Sequence, residues 1–295
     1  MNTKKKRVSK FSWGTLLLYG IVTLITLICL YPFLNVVAES LSSMNAVLSH
    51  KVTFYPIEFQ LEAYQQVLKL TSMWRAMRVT IIVTLAGTLG GLFLTVTSAY
   101  VMSRDRLKGK TIINIYILFT MYFSAGIIPT FLVVKNLGLY NTYGALILPN
   151  ILSVFNFIIM RTFFREIPKE LEDAARIDGA GDIRVLLQIY LPLSKSILAT
   201  VGLFIAVAYW NDYFSALMYT QKDTLYTLQL RLRTLLAGGE GMSNVTAMNL
   251  GNAANATPLI MKRAVIVIST VPILLVYPWL QKYFVKGVML GSVKG

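Results

Sequence analysis

Cysteine and histidine each occur once in the 295 residues, as Cys29 and His50. A lone cysteine excludes an intrachain disulfide, and a lone histidine leaves no basis for a histidine-built metal site. His50 sits in a polar segment and reads as a loop residue. Acidic residues are also scarce, 13 against 28 lysines and arginines, for a net charge of +15. No G-x-x-x-x-G-K-[ST] stretch occurs, so the chain cannot by itself cradle nucleotide phosphates in the usual way. "GGEGMS" reads as a loop. HExxH and nucleophile–base–acid constellations are missing too, which leaves no covalent chemistry to assign. No series of short alternating segments suggests a β-barrel.

Apolar residues are abundant. They make up 56% of the chain, with a mean hydropathy of +0.62. Several runs of about 20 apolar residues are each long enough to cross a hydrocarbon core as a helix. The expected fold is therefore all-α: a polytopic membrane protein with six spans near 12–35, 77–102, 111–134, 143–164, 196–219 and 264–284. The opening stretch "MNTKKKRVSKFSWGTLLLYGIVTLITLICLYPFL" has the charge layout of a signal peptide, and "VVAES" could pass for a cleavage site. Its apolar run is too long for an ordinary signal sequence, so it reads as a retained first span.

The positive charge suggests nucleic acid less than it suggests loops on one side of a membrane. With the N-terminus inside, eighteen of the 28 basic residues fall in the N-terminal tail, "MSRDRLKGK", residues 161–195 and the C-terminal end from Lys282 onward. Both termini are thus expected in the cytoplasm. The domain plan is a tail over 1–11, a membrane domain over 12–284 and a second tail over 285–295. Two long outer segments, 36–76 and 220–263, are expected. In the second, Leu225, Leu228, Leu232 and Leu235 recur at helical spacing, which predicts an interfacial helix with Arg231 and Arg233 toward water. Gly87 and Gly91 form a GxxxG pair in span two and predict close helix packing.

One inner segment is unlike the rest. "EIPKELEDAARIDGAGDIRVLLQIYLP" covers 166–192 and is charged and Ala-rich between apolar runs. Pro168 suits a first helical turn. Glu170, Glu172 and Asp173 follow, where each negative charge is worth about 0.3–1 kcal/mol against the helix dipole. Ala174 and Ala175 favour helix, Gly179 suits a left-handed stop, and Asp182 can cap the next helix. The first helix is about ten residues long and marginal alone in water. Local physics fits a docked helix and a solvated connector equally well.

The motif decides between them. "ELEDAARIDGAGDIRVLLQIYLP" resembles the EAA loop of importer-type ABC transporter permeases: Ala174, Ala175, Asp178, Gly179, Ala180, Leu191 and Pro192 match, and Asp173 stands where the pattern usually has Glu. "WNDYFSALMY" and "LQKYFVKGVMLGSVKG" are similar to carbohydrate-uptake permeases of the maltose type, in particular those handling oligosaccharides from complex polysaccharides. The resemblance implies a type I importer permease in a bacterial cytoplasmic membrane. It implies a second permease, two copies of an ATPase subunit carrying ATP and Mg, and an extracellular solute-binding protein as partners. No cofactor of this chain's own and no nucleic acid are implied. It also implies an ATPase-coupling role for Glu170, Asp173, Ala174, Ala175, Asp178, Gly179 and Ala180. The tail residues Gly291, Lys294 and Gly295 are implied to reach the same subunits.

A transport path needs polar groups at membrane depth. Span five carries Trp210, Asn211, Asp212 and Tyr213; Asn150 and Asn156 lie in span four, Tyr122 and Ser124 in span three. Aromatic faces and amides suit sugars, whose ring faces are apolar and whose hydroxyls need partners. Helix–helix hydrogen bonding and an interfacial aromatic belt are the plainer readings of the same residues. Asp212 costs roughly 2.5–3.5 kcal/mol in lipid and is expected to face the bundle or water, as a packing or gating residue. Rival functions are the same importer with non-sugar cargo, an ion-coupled secondary carrier, and a sensor with no through-path. The EAA loop does not read cargo, and Asp212 is the single candidate for ion coupling.

Overall fold

The computed structural model of the chain describes residues 13–237 and 258–291, and the described residues are helical with no strand. They divide into two compact units, one of residues 13–69 and 258–268, the other of 70–237 and 269–291. The expected N-terminal tail, Lys294 and Gly295 lie outside the described residues, and Gly291 is the last residue of its helix.

In the first unit the helix Trp13–Ser40 contains a stretch, Gly14–Ser40, apolar and long enough to cross a membrane. Its leucines and isoleucines are exposed over most of its length, which suits lipid or another subunit and not water. The chain then turns through Met44–Leu48, where Ser43 caps the helix by accepting from the Ala46 N–H at 3.3 Å. Asn35 donates to the carbonyls of Val52 and Thr53 at 3.2 and 3.1 Å and fixes the returning segment. His50 is exposed with φ +52, in keeping with a turn residue. Arg263 and Glu39 form an ion pair at 2.7 Å.

The second unit is built around the helix Thr71–Ser103, the other single helix found among the described residues to be long and apolar enough to span. The helices Val154–Glu166 and Lys195–Asn211 pack along it. Val79, Val83, Ala99, Phe157, Met160, Phe164 and Val201 form the core between them. The GxxxG expectation holds. A Cβ on Gly87 would lie 2.4 Å from the Tyr209 ring, and one on Gly91 2.9 Å from the Ile151 carbonyl oxygen. Neither helix could approach so closely with a larger residue.

Two of the expected continuous spans are bent, and a third bend falls just before span five, where the expected inner loop ends. Lys110–Tyr122 and Ile127–Asn136 meet at 113°, with Gly126 at φ +87 in the break. Tyr143–Asn150 and Val154–Glu166 meet at 52°, and Ser153 caps the second half by accepting from the Asn156 N–H at 3.4 Å. Asp182–Leu193 and Lys195–Asn211 meet at 86°. The expected span 196–219 also stops at Asn211 and resumes at Phe214–Tyr219. Asp212 is extended there, and its carboxylate accepts from the Ser215 N–H at 3.0 Å. Hydropathy cannot see such breaks, because the residues on either side stay apolar. The expected last span falls within Pro258–Gly291, a single helix containing Pro272 and Pro278.

The expected interfacial helix is corrected in both extent and setting. It runs Leu228–Ala237, and Leu225 belongs to a separate short turn, Asp223–Leu225. Leu228 and Leu230 are fully buried, and the Leu228 N–H donates to the Thr80 hydroxyl at 2.7 Å, so the helix packs on Thr71–Ser103. Arg231 does not reach freely into water: it pairs with Asp223 at 3.0 Å, while Arg233 is exposed over the Tyr213 ring.

Candidate functional site

The 166–192 segment folds into two helical arms. The first, Lys169–Ile177, is nine residues long, and Pro168 precedes it as the N-cap where a place in the first turn was expected. Gly179 adopts φ +81, the left-handed conformation its position predicted. The Ala180 N–H donates to the Ala175 carbonyl at 2.9 Å and the Gly179 N–H to the Arg176 carbonyl at 3.0 Å. That pair of bonds is a Schellman stop, and it satisfies carbonyls that the helix end would leave open. The second arm starts at Asp182 with Gly181 as its N-cap. The expected capping role of Asp182 is therefore corrected, because its carboxylate is drawn to Arg176 instead.

The first arm has an outer and an inner side. Glu170, Leu171, Asp173, Ala174, Ile177, Asp178 and Gly179 are exposed; Ala175 and Ala180 are half-buried and pack against the core. Two isoleucines stand out, Ile177 at 87% and Ile183 at 75% exposure, with Leu171 and Leu187 also open. A shallow depression on the second arm is lined by Gly181, Asp182, Ile183, Arg184, Leu187 and Gln188. The inner side is held by Glu172, which composition alone marked only as a dipole-favouring acid. It is buried at 8% exposure.

Glu172 is enclosed by cations and rings. One carboxylate oxygen pairs with the Arg104 guanidinium, and the other accepts from Arg176 Nε at 2.8 Å. The Tyr190 hydroxyl approaches at a long 3.5 Å. Arg104 lies between two ring faces, 4.3 Å from the Tyr100 centroid and 4.8 Å from that of Tyr190. The rings meet edge-on at 5.1 Å and 84°, and the Tyr100 hydroxyl donates to the Asp182 carbonyl at 2.9 Å. A carboxylate so placed is tolerable because it is both paired and hydrogen-bonded.

Outside this cluster, Asp105 bridges Lys169 at 2.6 Å and Lys110 at 3.2 Å. The Lys169 ammonium, followed by that of Lys110, holds the Asp105 carboxyl down to about 2. The same bridge raises Lys169 above the ordinary lysine value. Arg104 and Asp105 entered the sequence reading only within a basic loop. The i, i+4 spacings of Tyr100–Arg104 and Glu172–Arg176 were the available signals. Nothing in one dimension joins residues 104 and 172.

The residues expected along a transport path are not gathered into one site. Asn150 donates to the Ser215 hydroxyl at 3.1 Å, which brings it to the helix break at Asp212 and Tyr213. The Trp210 indole N–H is buried without a hydrogen-bond partner, and Asn211 is exposed with its amide on the Val207 carbonyl at 3.0 Å. Asn156 is buried at 5% exposure. Tyr122 and Ser124 lie exposed at a different break, where the Ser124 hydroxyl accepts from the Gly126 N–H at 3.2 Å. No cluster of metal-ligating side chains occurs among the described residues.

Comparison with known proteins agrees with this architecture. Protein LplC of Bacillus subtilis (strain 168) is 44% identical over 296 residues, covering 100% of this chain and 97% of that protein. The polygalacturonan/rhamnogalacturonan transport system permease protein YtcP of the same organism is 41% identical over 280 residues, 95% of this chain and 98% of that protein. Among solved structures, a chain of a bacterial ABC transporter involved in the import of the acidic polysaccharide alginate superimposes with a TM-score of 0.86. It is 32% identical, with 96% of this chain and 100% of that chain covered. The family model for the binding-protein-dependent transport system inner membrane component matches residues 91–290. With a helical fold, a paired-arm polar loop and relatives matched end to end, the chain belongs to the binding-protein-dependent transport system inner membrane components, the permeases of ABC importers.

Proposed function

We propose that the chain is one permease subunit of an ATP-driven importer that carries an oligosaccharide across the cytoplasmic membrane. Two of the relatives are named for polygalacturonan and rhamnogalacturonan or for alginate, which supports a cargo derived from a polysaccharide. The subunit performs no covalent step. It pairs with a second permease and receives sugar from a solute-binding protein outside. It takes work from two ATPase subunits, which hold the ATP and Mg. Both termini and the 166–192 loop face the cytoplasm, and Gly291, Lys294 and Gly295 are assigned to ATPase coupling.

The observation that carries this reading is the outer side of the loop. Ile177 and Ile183, the most exposed of the loop's large apolar side chains, flank the Schellman turn at Gly179, and Leu171 and Leu187 on the same loop are exposed as well. Apolar side chains grouped on a polar, charged loop mark a contact surface. The Glu170 and Asp173 carboxylates and the low Ala174 surface lie on the same exposed side. The polar groups at the break, Asn150, Trp210, Asn211 and Tyr213, are assigned to the sugar path, as are Asn156, Tyr122 and Ser124.

The test is uptake by the reconstituted assembly: both permeases, the ATPase subunits and the binding protein in liposomes, supplied with labelled oligosaccharide. Uptake stops when ATP is withdrawn and persists when ionophores abolish ion gradients. Uptake that tracks the ion gradient and ignores ATP overturns the proposal in favour of a secondary carrier. Cargo is read separately, as the ligand that the binding protein retains on purification.

A further inference from the structure

We infer that the helix Thr71–Ser103 is the rod that carries motion from the 166–192 loop to the far side of the subunit, and that the Glu172–Arg104 pair is its joint. This rests on the importer reading above. The rod is not a sequence neighbour of the loop, which is flanked covalently by Val154–Glu166 and by the arm leading into Lys195–Asn211. Yet the end of that helix grips both arms. Arg104, its C-cap, holds Glu172 of the first arm. Tyr100, one turn earlier, holds the Asp182 backbone of the second arm, and its ring meets Tyr190 further along. Arg176 ties the arms together by touching both Glu172 and Asp182. Lys169 adds an outer bridge to Asp105. The loop cannot shift against the membrane helices without pulling on residues 100–105.

The opposite end of the same helix is also fastened. Thr80 accepts from the Leu228 N–H at 2.7 Å, and Arg75 pairs with Asp223 at 3.5 Å. Asp223 in turn holds Arg231 at 3.0 Å, and Thr227 donates to the Asp212 carbonyl at 3.2 Å. These contacts end at the helix break that carries Asn211, Asp212 and Tyr213. Between the two ends run 33 residues of unbroken helix, about 50 Å at 1.5 Å per residue. Its middle is locked by the Gly87 and Gly91 contacts with Tyr209, Ile151 and Ile205. A continuous, well-packed helix moves as a body, so displacement at Arg104 arrives at Thr80 and Arg75. Glu172 and Asp173 thus have different tasks despite being neighbours. Asp173 faces outward; Glu172 is a positioning residue that acts through Arg104.

The experiment measures uptake and hydrolysis on the complete assembly with Asn211 intact, and uses a separate assembly carrying Cys29→Ser and Asn211→Cys only to follow the reaction of position 211 with an impermeant thiol reagent with and without ATP. Glu172→Gln and Arg104→Gln are compared with the exchange Glu172→Arg with Arg104→Glu. The ATPase subunits are expected to co-purify with Glu172→Gln at wild-type yield. Uptake per ATP hydrolysed is expected to fall about tenfold, the ATP-driven change at position 211 to disappear, and the exchange to recover most of both. Wild-type coupling in Glu172→Gln overturns the inference. Loss of ATPase co-purification also overturns it, by making Glu172 a docking residue, as does an exchange no better than the single variants. A wild-type assembly that shows no ATP-dependent uptake defeats the importer reading itself, which is a separate result.

Discussion

The Tyr209 ring occupies the space where Gly87 would carry a side chain: a Cβ built there lies 2.4 Å from the ring, and the Tyr209 hydroxyl donates to the Ile147 carbonyl at 2.8 Å. That hydrogen bond keeps the ring from swinging away. Gly87→Ala is therefore expected to cost about 1–3 kcal/mol through overpacking. It should lower the thermal unfolding temperature in detergent, and a second change, Tyr209→Leu, should restore part of the loss. An unchanged melting temperature for Gly87→Ala would show that the two helices are not in contact as described.

Gly179 is a conformational requirement with no steric one. A Cβ there meets nothing within 4 Å, but φ is +81. A branched residue such as Val at this position pays roughly 1–2 kcal/mol for the left-handed backbone, and Asn, which tolerates it, pays less. Gly179→Val should insert into the membrane normally while weakening ATPase docking or uncoupling hydrolysis from uptake, with Gly179→Asn milder. Wild-type uptake by Gly179→Val would count against the loop as the site where work enters.

The Asp105 carboxyl titrates near 2, below its ordinary 3.8, chiefly because of Lys169 and then Lys110. A depressed folded-state value means that the bridge contributes above the ordinary carboxylate range. Its contribution is lost as pH falls from 3.8 through about 2. Lys169→Gln removes the larger pull, so the midpoint should rise toward 3.8. The check is the carboxyl carbon chemical shift of labelled aspartate. The bridge is exposed, so added salt should weaken it as well.

Asp212 separates the importer from an ion-coupled carrier. Its role in the structure is to accept the Ser215 N–H at the restart of the helix. Asn can do the same, whereas Ala forfeits about 1 kcal/mol of capping. Uptake should survive Asp212→Asn and decline with Asp212→Ala. A carrier that protonates or binds a cation at Asp212 would lose activity in both. Initial rates of ATP-driven uptake distinguish the patterns.

Much of the loop was legible because its signals are local. Pro168, the first-turn acids, Ala174, Ala175 and Gly179 each act within a few residues through backbone geometry and dipole, and the first arm forms within a residue of where they place it. The Gly87–Gly91 spacing likewise acts through one helical face. The errors were of another kind. Asp182 has the chemistry of a cap, but Arg176 competes for its carboxylate and wins through charge. Leu228 has the periodicity of an interfacial helix, yet its N–H is taken by Thr80, 148 residues earlier in the chain.

Composition and local pattern thus determined that this chain is helical, that it has apolar segments of membrane length, and that one polar hairpin interrupts them. Those properties follow from the free energy of moving single segments between water and lipid, which needs no knowledge of neighbours. Only the tertiary structure decided which helix the hairpin is fastened to, where the spans break, and that Glu172 is buried while Asp173 is exposed. A side chain's environment is set by what arrives beside it in space. Arg104, Tyr100 and Tyr190 reach Glu172 from parts of the chain that share no periodicity with it.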